Sequence, residues 1–161
     1  MQLKYPPDIR PLVRFDLSAI PAGTPIKRAV LSFHVQDSVI LSLGLKAYAY
    51  PLTESWLEGT QNGAVSTLGA TWSKRQIGPD LVWSSAGGTY YNVAAGVFQV
   101  PLGATPQRYW EMDVTSVVQE WVDGVRANHG LSLLLDFSLD SANLSTRESL
   151  RLEPRLLIST Q

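Results

Sequence analysis

Arg28-Ala29-Val30-Leu31-Ser32-Phe33-His34-Val35 decides the fold class. Ala29, Leu31, Phe33 and Val35 make an apolar stripe, with Arg28, Ser32 and His34 on the opposite side. A period of two is what a strand with one buried face produces. The pattern recurs along the chain. Leu43, Leu45, Ala47 and Ala49 run against Lys46, Tyr48 and Tyr50 until Pro51 stops them, and Leu131, Leu133, Leu135 and Phe137 form the clearest stripe. Val13, Phe15 and Leu17 alternate with Leu12, Arg14 and Asp16, so Arg14 and Asp16 are expected to share an open face and pair there. Shorter strands are expected at Val97–Leu102 and Gln107–Met112. The last runs from Leu150 to Thr160, where Pro154 marks an edge, a bulge or a break. Many short strands punctuated by Gly and Pro predict an all-β chain: an antiparallel β-sandwich, jelly-roll-like.

One segment departs from this rule. From Asp113 onward, Val114, Val117, Val118, Trp121, Val122 and Val125 fall on one face of a helix. The spacing predicts one short amphipathic helix near 113–126, with Asp113 as N-cap, Trp121 as main anchor, and Asn128 or Gly130 ending it in a left-handed conformation. Between Thr53 and Gly96 the alternation fades into a Gly-, Ser- and Thr-rich stretch that holds Trp56, Trp72, Trp83, Tyr90 and Tyr91. Loops of this length in a compact domain are functional or locally structured.

The totals narrow the function. With 161 residues, 45% apolar and 17% charged, the chain suits one packed domain, 1–161. Net charge is −1 with no block of like charges, which argues against nucleic acid and anionic membrane as partners. Cysteine is absent, which excludes disulfides, thiolate zinc sites and thiol nucleophiles. No apolar run approaches the ~20 residues of a membrane span, and Met1–Arg10 does not read as a signal peptide.

Catalytic patterns are missing from the sequence. There is no Gly-x-Ser-x-Gly elbow and no phosphate-binding glycine loop. His34 reads as a half-buried strand residue and His129, in Asn128-His129-Gly130, as part of a turn. Glu54, Glu58, Glu111, Glu120 and Glu148 read as surface or ion-pair carboxylates, although two of them across a cleft would suit a glycosidase. Asp136, Asp140 and Glu148 are oxygen donors of the kind calcium takes, but no compact Asp-x-Asp-x-Asp-Gly loop gathers them, so no cofactor is assigned. Asn143-Leu144-Ser145 matches an N-glycosylation sequon. Trp56, Trp72, Trp110 and Trp121 read as core. Trp83, Tyr90 and Tyr91, in a Gly/Ser-rich loop, are the candidate ligand-binding residues, because a sugar's C–H face stacks on aromatic rings.

Seven pieces in order resemble the DNRLRE-type domain, an extracellular β-sandwich module of microbial surface and polysaccharide-associated proteins. They are Leu12–Ser18, Ile20–Gly23, Ala29–Val35, Trp56-Leu57-Glu58 with Thr71-Trp72-Ser73, Asp113–Trp121, Asn128–Leu131, and Ser145–Glu148 with Pro154–Ile158. The resemblance implies a non-catalytic, secreted or cell-surface structural or adhesion module that attaches to polysaccharide or to surface proteins. Phe15, Asp113, Trp121, Arg147 and Glu148 would be structural residues, with Arg147 and Glu148 as a pair. Similar modules carry a further strand or two before the Arg-Phe-Asp strand, and only Leu3-Lys4-Tyr5 resembles the end of that part. A simple truncated or degenerate module is one reading of this; the other is that the exposed backbone of a sandwich short of a strand is filled by another chain through β-strand addition, which suggests a filament or surface-layer subunit built from copies of itself. A carbohydrate-binding module detached from a polysaccharide-degrading enzyme is the other reading of the resemblance.

Overall fold

The computed structural model describes residues 2–4, 9–39, 44–59, 68–101, 108–136, 141–149 and 151–161. Phe137, Asp140 and Leu43 lie outside the described residues. In chain order the elements are β1 (Gln2–Lys4), β2 (Leu12–Val13), β3 (Ile26–Val39), β4 (Gly44–Pro51), β5 (Lys74–Gln76) and β6 (Leu81–Val82). They continue with β7 (Gly96–Pro101), β8 (Tyr109–Asp113), α1 (Thr115–Val122), β9 (Leu131–Leu135), β10 (Ser141–Leu144) and β11 (Arg155–Thr160). All strand pairings are antiparallel.

One sheet is centred on β3. Its residues 30–34 pair with β8 on one edge, while the other edge takes β11 along 26–32 and β10 along 35–39. β10 and β11 thus behave as two halves of one strand, and residues 146–149 and 151–154 lie off the ladder between them. The Ser145 amide still bonds the His34 carbonyl, so the chain leaves the ladder just past that point. The second sheet has the order β2-β9-β4-β7. Ala29, Leu31, Phe33 and Val35 from the first sheet and Ala47, Ala49, Leu131, Leu133 and Leu135 from the second fill one common core. The alternation therefore placed these side chains correctly, and Pro51 ends β4 as expected.

The helix is shorter than its apolar pattern suggests. It ends at Val122 because Gly124, at φ +70°, forms a left-handed cap there. The Gly124 amide bonds the Trp121 carbonyl and the Val125 amide bonds the Glu120 carbonyl, so the last turn is satisfied six residues before Gly130. Asp113 is the last residue of β8 rather than the N-cap, which is Val114. Its carboxylate still accepts the Thr115 amide at 3.0 Å and hydroxyl at 2.7 Å. These bonds hold its carboxyl below the ordinary range. Val117, Val118 and Val122 are the buried anchors, and Trp121 is only half-buried. α1 is tied to the start of β3 by Gln119, which accepts the Ile26 amide at 2.6 Å and donates to the Thr24 carbonyl.

Two more expectations change. The strand at Leu12 ends at Val13 instead of running to Leu17. Asp16 turns its carboxylate to the Ser18 amide and Arg14 lies over the Trp56 ring, so the two do not pair. The final strand starts at Arg155, immediately after Pro154, and sits on a sheet edge.

The N-terminal residues do supply a strand. β1 pairs with β10, with Leu3 fully buried, and among the described residues β10 is the one strand it is hydrogen-bonded to. Among the described residues, β11 is hydrogen-bonded only to β3 and β2 only to β9. One flank of the sandwich is therefore bounded by two unpaired strand edges.

Candidate functional site: a groove along an open strand edge

Along this flank runs a groove of about 1520 Å³. The extended segment Ile9–Ser18 forms its base. Trp56–Gly59 and Ala70–Trp72 form one wall, and Trp121, Val122, Thr146–Glu148 and Pro154 form the other. The volume exceeds the 300–1,000 Å³ of ordinary small-molecule pockets, which suits an extended occupant.

The hydrogen bonding of β2 fixes what the base offers. The Leu133 amide donates to the Pro11 carbonyl, and Leu12 and Val13 lie opposite Ser132 and Leu131. Antiparallel pairing alternates residues that face the partner with residues that face away. Val13 faces β9, so the amides and carbonyls of Leu12 and Arg14 point into the groove, with no backbone partner among the described residues. On the core side the base carries Phe15 and Leu17, half-buried against the main core together with Ile20 and Trp121.

The wall beside Trp72 is built from stacked rings and one cation. Arg10 has its guanidinium 4.9 Å from the Trp72 ring centre and 5.7 Å from that of Tyr90, and its Nη1 donates to the Gly87 carbonyl. Tyr90 in turn packs on Tyr50 at 4.9 Å, and Tyr50 on Tyr48 at 6.1 Å. Such contacts fasten the 70–91 loops to the outer face of β4. Arg14 lies 5.5 Å over Trp56, whose indole N–H donates to the His129 carbonyl at 2.8 Å.

Glu54 holds this wall in place. Its carboxylate accepts the Ser84 amide and hydroxyl and the Thr89 hydroxyl. Burial works against its charge, but the Thr89 and Ser84 bonds and the Arg75 cation outweigh burial and keep the carboxyl below its ordinary value. A depressed folded-state pKa contributes stability that is present above the unfolded value, about 4.3, and is lost as pH falls through the folded value. Glu54→Gln is therefore expected to destabilise the protein at pH 7 and to lose most of that difference at pH 3. Urea unfolding of both proteins at the two pH values checks this.

The sequence-predicted residues separate. Trp83 is 5% exposed and its indole N–H donates to the Thr71 carbonyl at 3.0 Å, so it packs and offers no open platform. Tyr90 is half-buried in the ring stack, and Tyr91 is exposed with Arg126 4.4 Å above its ring. The three do not form one surface. Trp72, expected in the core, is 40% exposed, whereas Trp110 is buried as expected. Arg147 does pair with Glu148, at 3.0 Å, and also reaches Glu58 across the groove at 3.0 Å. Glu120 pairs with Arg126. His34 Nδ1 lies 3.0 Å from the Ser145 hydroxyl, but Ser145 is fully buried, out of reach of a substrate. His129 sits in the expected turn, where burial and the charges of Arg14 and Arg75 hold its pKa down.

Of the calcium candidates, Asp136 accepts the Tyr48 hydroxyl and Glu148 is bound to Arg147. Among the described residues no three His, Asp or Glu side chains gather to hold a metal ion. No helix of the described residues is long and apolar enough to cross a membrane.

Sequence reading expected an exposed strand edge near the N-terminus, but it missed Arg10 and paired Arg14 with Asp16 instead of placing it over Trp56. One signal was available: Arg10, Leu12, Arg14 and Asp16 share one side of a period-two segment. A scan against protein-family models finds no match, and a search of curated proteins finds none. The resemblance to DNRLRE-type modules stands on its motifs alone.

Proposed function

We propose that the chain is a non-catalytic attachment module, of the extracellular or cell-surface kind its motifs resemble, that holds an extended segment of another protein by β-strand addition. The observation that carries this reading is the backbone of Leu12 and Arg14, without a backbone partner among the described residues, lining a groove of about 1520 Å³. An added strand would bond those groups, cover Phe15 and Leu17, and remove an edge that otherwise invites unspecific pairing. Where the donor is the same chain, the product is a filament.

Amide exchange followed by NMR tests the geometry and the function together. In the free protein the Leu12 and Arg14 amides are expected to exchange much faster than that of Val13, which β9 protects. A peptide selected on the protein from a random twelve-residue library is expected to slow exchange at Leu12 and Arg14. A library that yields no binder, or binders that protect neither amide, overturns strand addition.

A second reading has its own support: Trp56, Trp72 and Trp121 all line the same groove, and sugar rings stack on indoles. A polysaccharide in the groove would retard the protein on an affinity gel and shift those three indole signals, while leaving the Leu12 and Arg14 amides free to exchange. Trp72→Ala is expected to abolish such retardation. No retardation on a broad glycan panel removes this reading.

A further inference from the structure

We infer that the strand accepted by the groove alternates apolar side chains with carboxylates, and that two of its carboxylates, four residues apart, lie beside Arg10 and Arg14. This inference rests on the strand-addition reading and names the chemistry of the partner.

The argument begins with charge. Arg126, Arg147 and Arg155 each have a carboxylate within 4.0 Å. Arg10, Arg14, Arg28, Arg75, Arg108 and Arg151 have none among the described residues, and of these only Arg10 and Arg14 line the groove. Their cations rest instead on the Trp72, Tyr90 and Trp56 rings. The Nε of Arg10 is buried with no hydrogen-bond partner. Rings hold a guanidinium in place but do not accept its N–H groups in the plane, so the N–H groups of exposed Arg14, and those of Arg10 beyond its buried Nε and its Gly87 bond, stay available to a planar anion.

Register supplies the rest. Arg10, Leu12 and Arg14 alternate with Pro11 and Val13, whose backbone faces β9, and a strand added along β2 would bring its side chains on their side into reach of both arginines. Positions facing Arg10 and Arg14 favour Asp or Glu, and the position between them faces Leu12 and favours an apolar residue. Side chains on the other side of the added strand meet Phe15, Leu17 and Trp121, and there apolar residues bury the most surface. Glu58 and Glu148, also in the groove, are already matched by Arg147 and do not compete for the two arginines.

The test uses three synthetic nine-residue peptides. Valine occupies one face of each. On the other face the first has glutamate at its third and seventh positions with leucine at the fifth, the second has glutamine in place of both glutamates, and the third has lysine. Fluorescence anisotropy with the whole protein is expected to give the order glutamate, glutamine, lysine, with roughly tenfold weaker binding for glutamine than for glutamate. Raising salt is expected to weaken the glutamate peptide and to leave the glutamine peptide unchanged. Arg14→Gln, at an exposed position, is expected to shrink the glutamate preference. Equal binding of the glutamate and glutamine peptides overturns the acidic partner while leaving strand addition intact. If none of the three binds and the random library yields no binder either, the strand-addition reading fails as well.

Discussion

Trp110→Ala is expected to lower stability by about 3–5 kcal/mol. Trp110 is 1% exposed on β8, and its ring stacks on Phe98 of β7 at 4.9 Å with 19° between the planes. β7 and β8 belong to different sheets, so the stack joins the sheets at the flank opposite the groove. Truncation leaves a cavity the size of an indole beside a ring that has lost its partner. The indole N–H of Trp110 has no hydrogen-bond acceptor among the described residues. Trp110→Phe removes that unsatisfied donor while keeping a ring against Phe98, so it is expected to recover most of the loss. Calorimetry is expected to show Trp110→Ala melting roughly 10 °C below the parent, with Trp110→Phe between the two. Equal losses for the two variants would show that the stack with Phe98 contributes nothing.

Gly130→Ala is expected to cost about 3 kcal/mol and to open the base of the groove. Gly130 sits at φ +84°, and a Cβ there would overlap the Val13 carbonyl oxygen and come within 2.9 Å of the Arg14 Cβ. The obstacle is backbone, which cannot rotate aside as a long side chain does, so β2 must move away from β9. The Gly130 carbonyl also accepts the Leu52 amide at 2.9 Å, which couples the shift to the end of β4. Gly124→Ala is the control: its φ of +70° is as unfavourable, but nothing lies within 4 Å of the added carbon. It is expected to cost only the conformational term, about 1 kcal/mol. Urea unfolding should therefore separate the two substitutions by about 2 kcal/mol, and the Val13 amide should lose its exchange protection only in Gly130→Ala. Equal effects would mean that the close approach of β2 to the turn is not what requires glycine.

Much of the architecture can be read from local pattern. The stripes at Ala29–Val35 and Leu131–Leu135 occupy the core as expected, because alternation sends every second side chain to one face whatever the neighbouring strand is. The existence of the helix after Asp113 followed from its 3.6-residue period, but its end did not. Val125 continues the apolar pattern, yet Gly124 has already turned the chain, and Val125 is 70% exposed. A period records which residues suit a helix and does not record where a cap is satisfied first.

The site was less legible. Trp72 and Trp83 exchanged roles because burial of an aromatic in a loop depends on what that loop folds against. Trp83 finds the Thr71 carbonyl, and Trp72 finds Arg10 from 62 positions earlier in the chain. Arg14 and Asp16 look like an ion pair in a strand that continues; the strand stops at Val13, and each finds another partner.

Spacing between near neighbours is enough to set the class of fold, the inward residues of β3, β4 and β9, and the presence of one helix. Only the tertiary structure decided which strand edges stay unpaired, which indoles line a groove, and which arginines lack a carboxylate. Those properties belong to contacts such as Arg147 with Glu58 and Trp56 with His129, which join residues dozens of positions apart and leave no periodic trace in the chain.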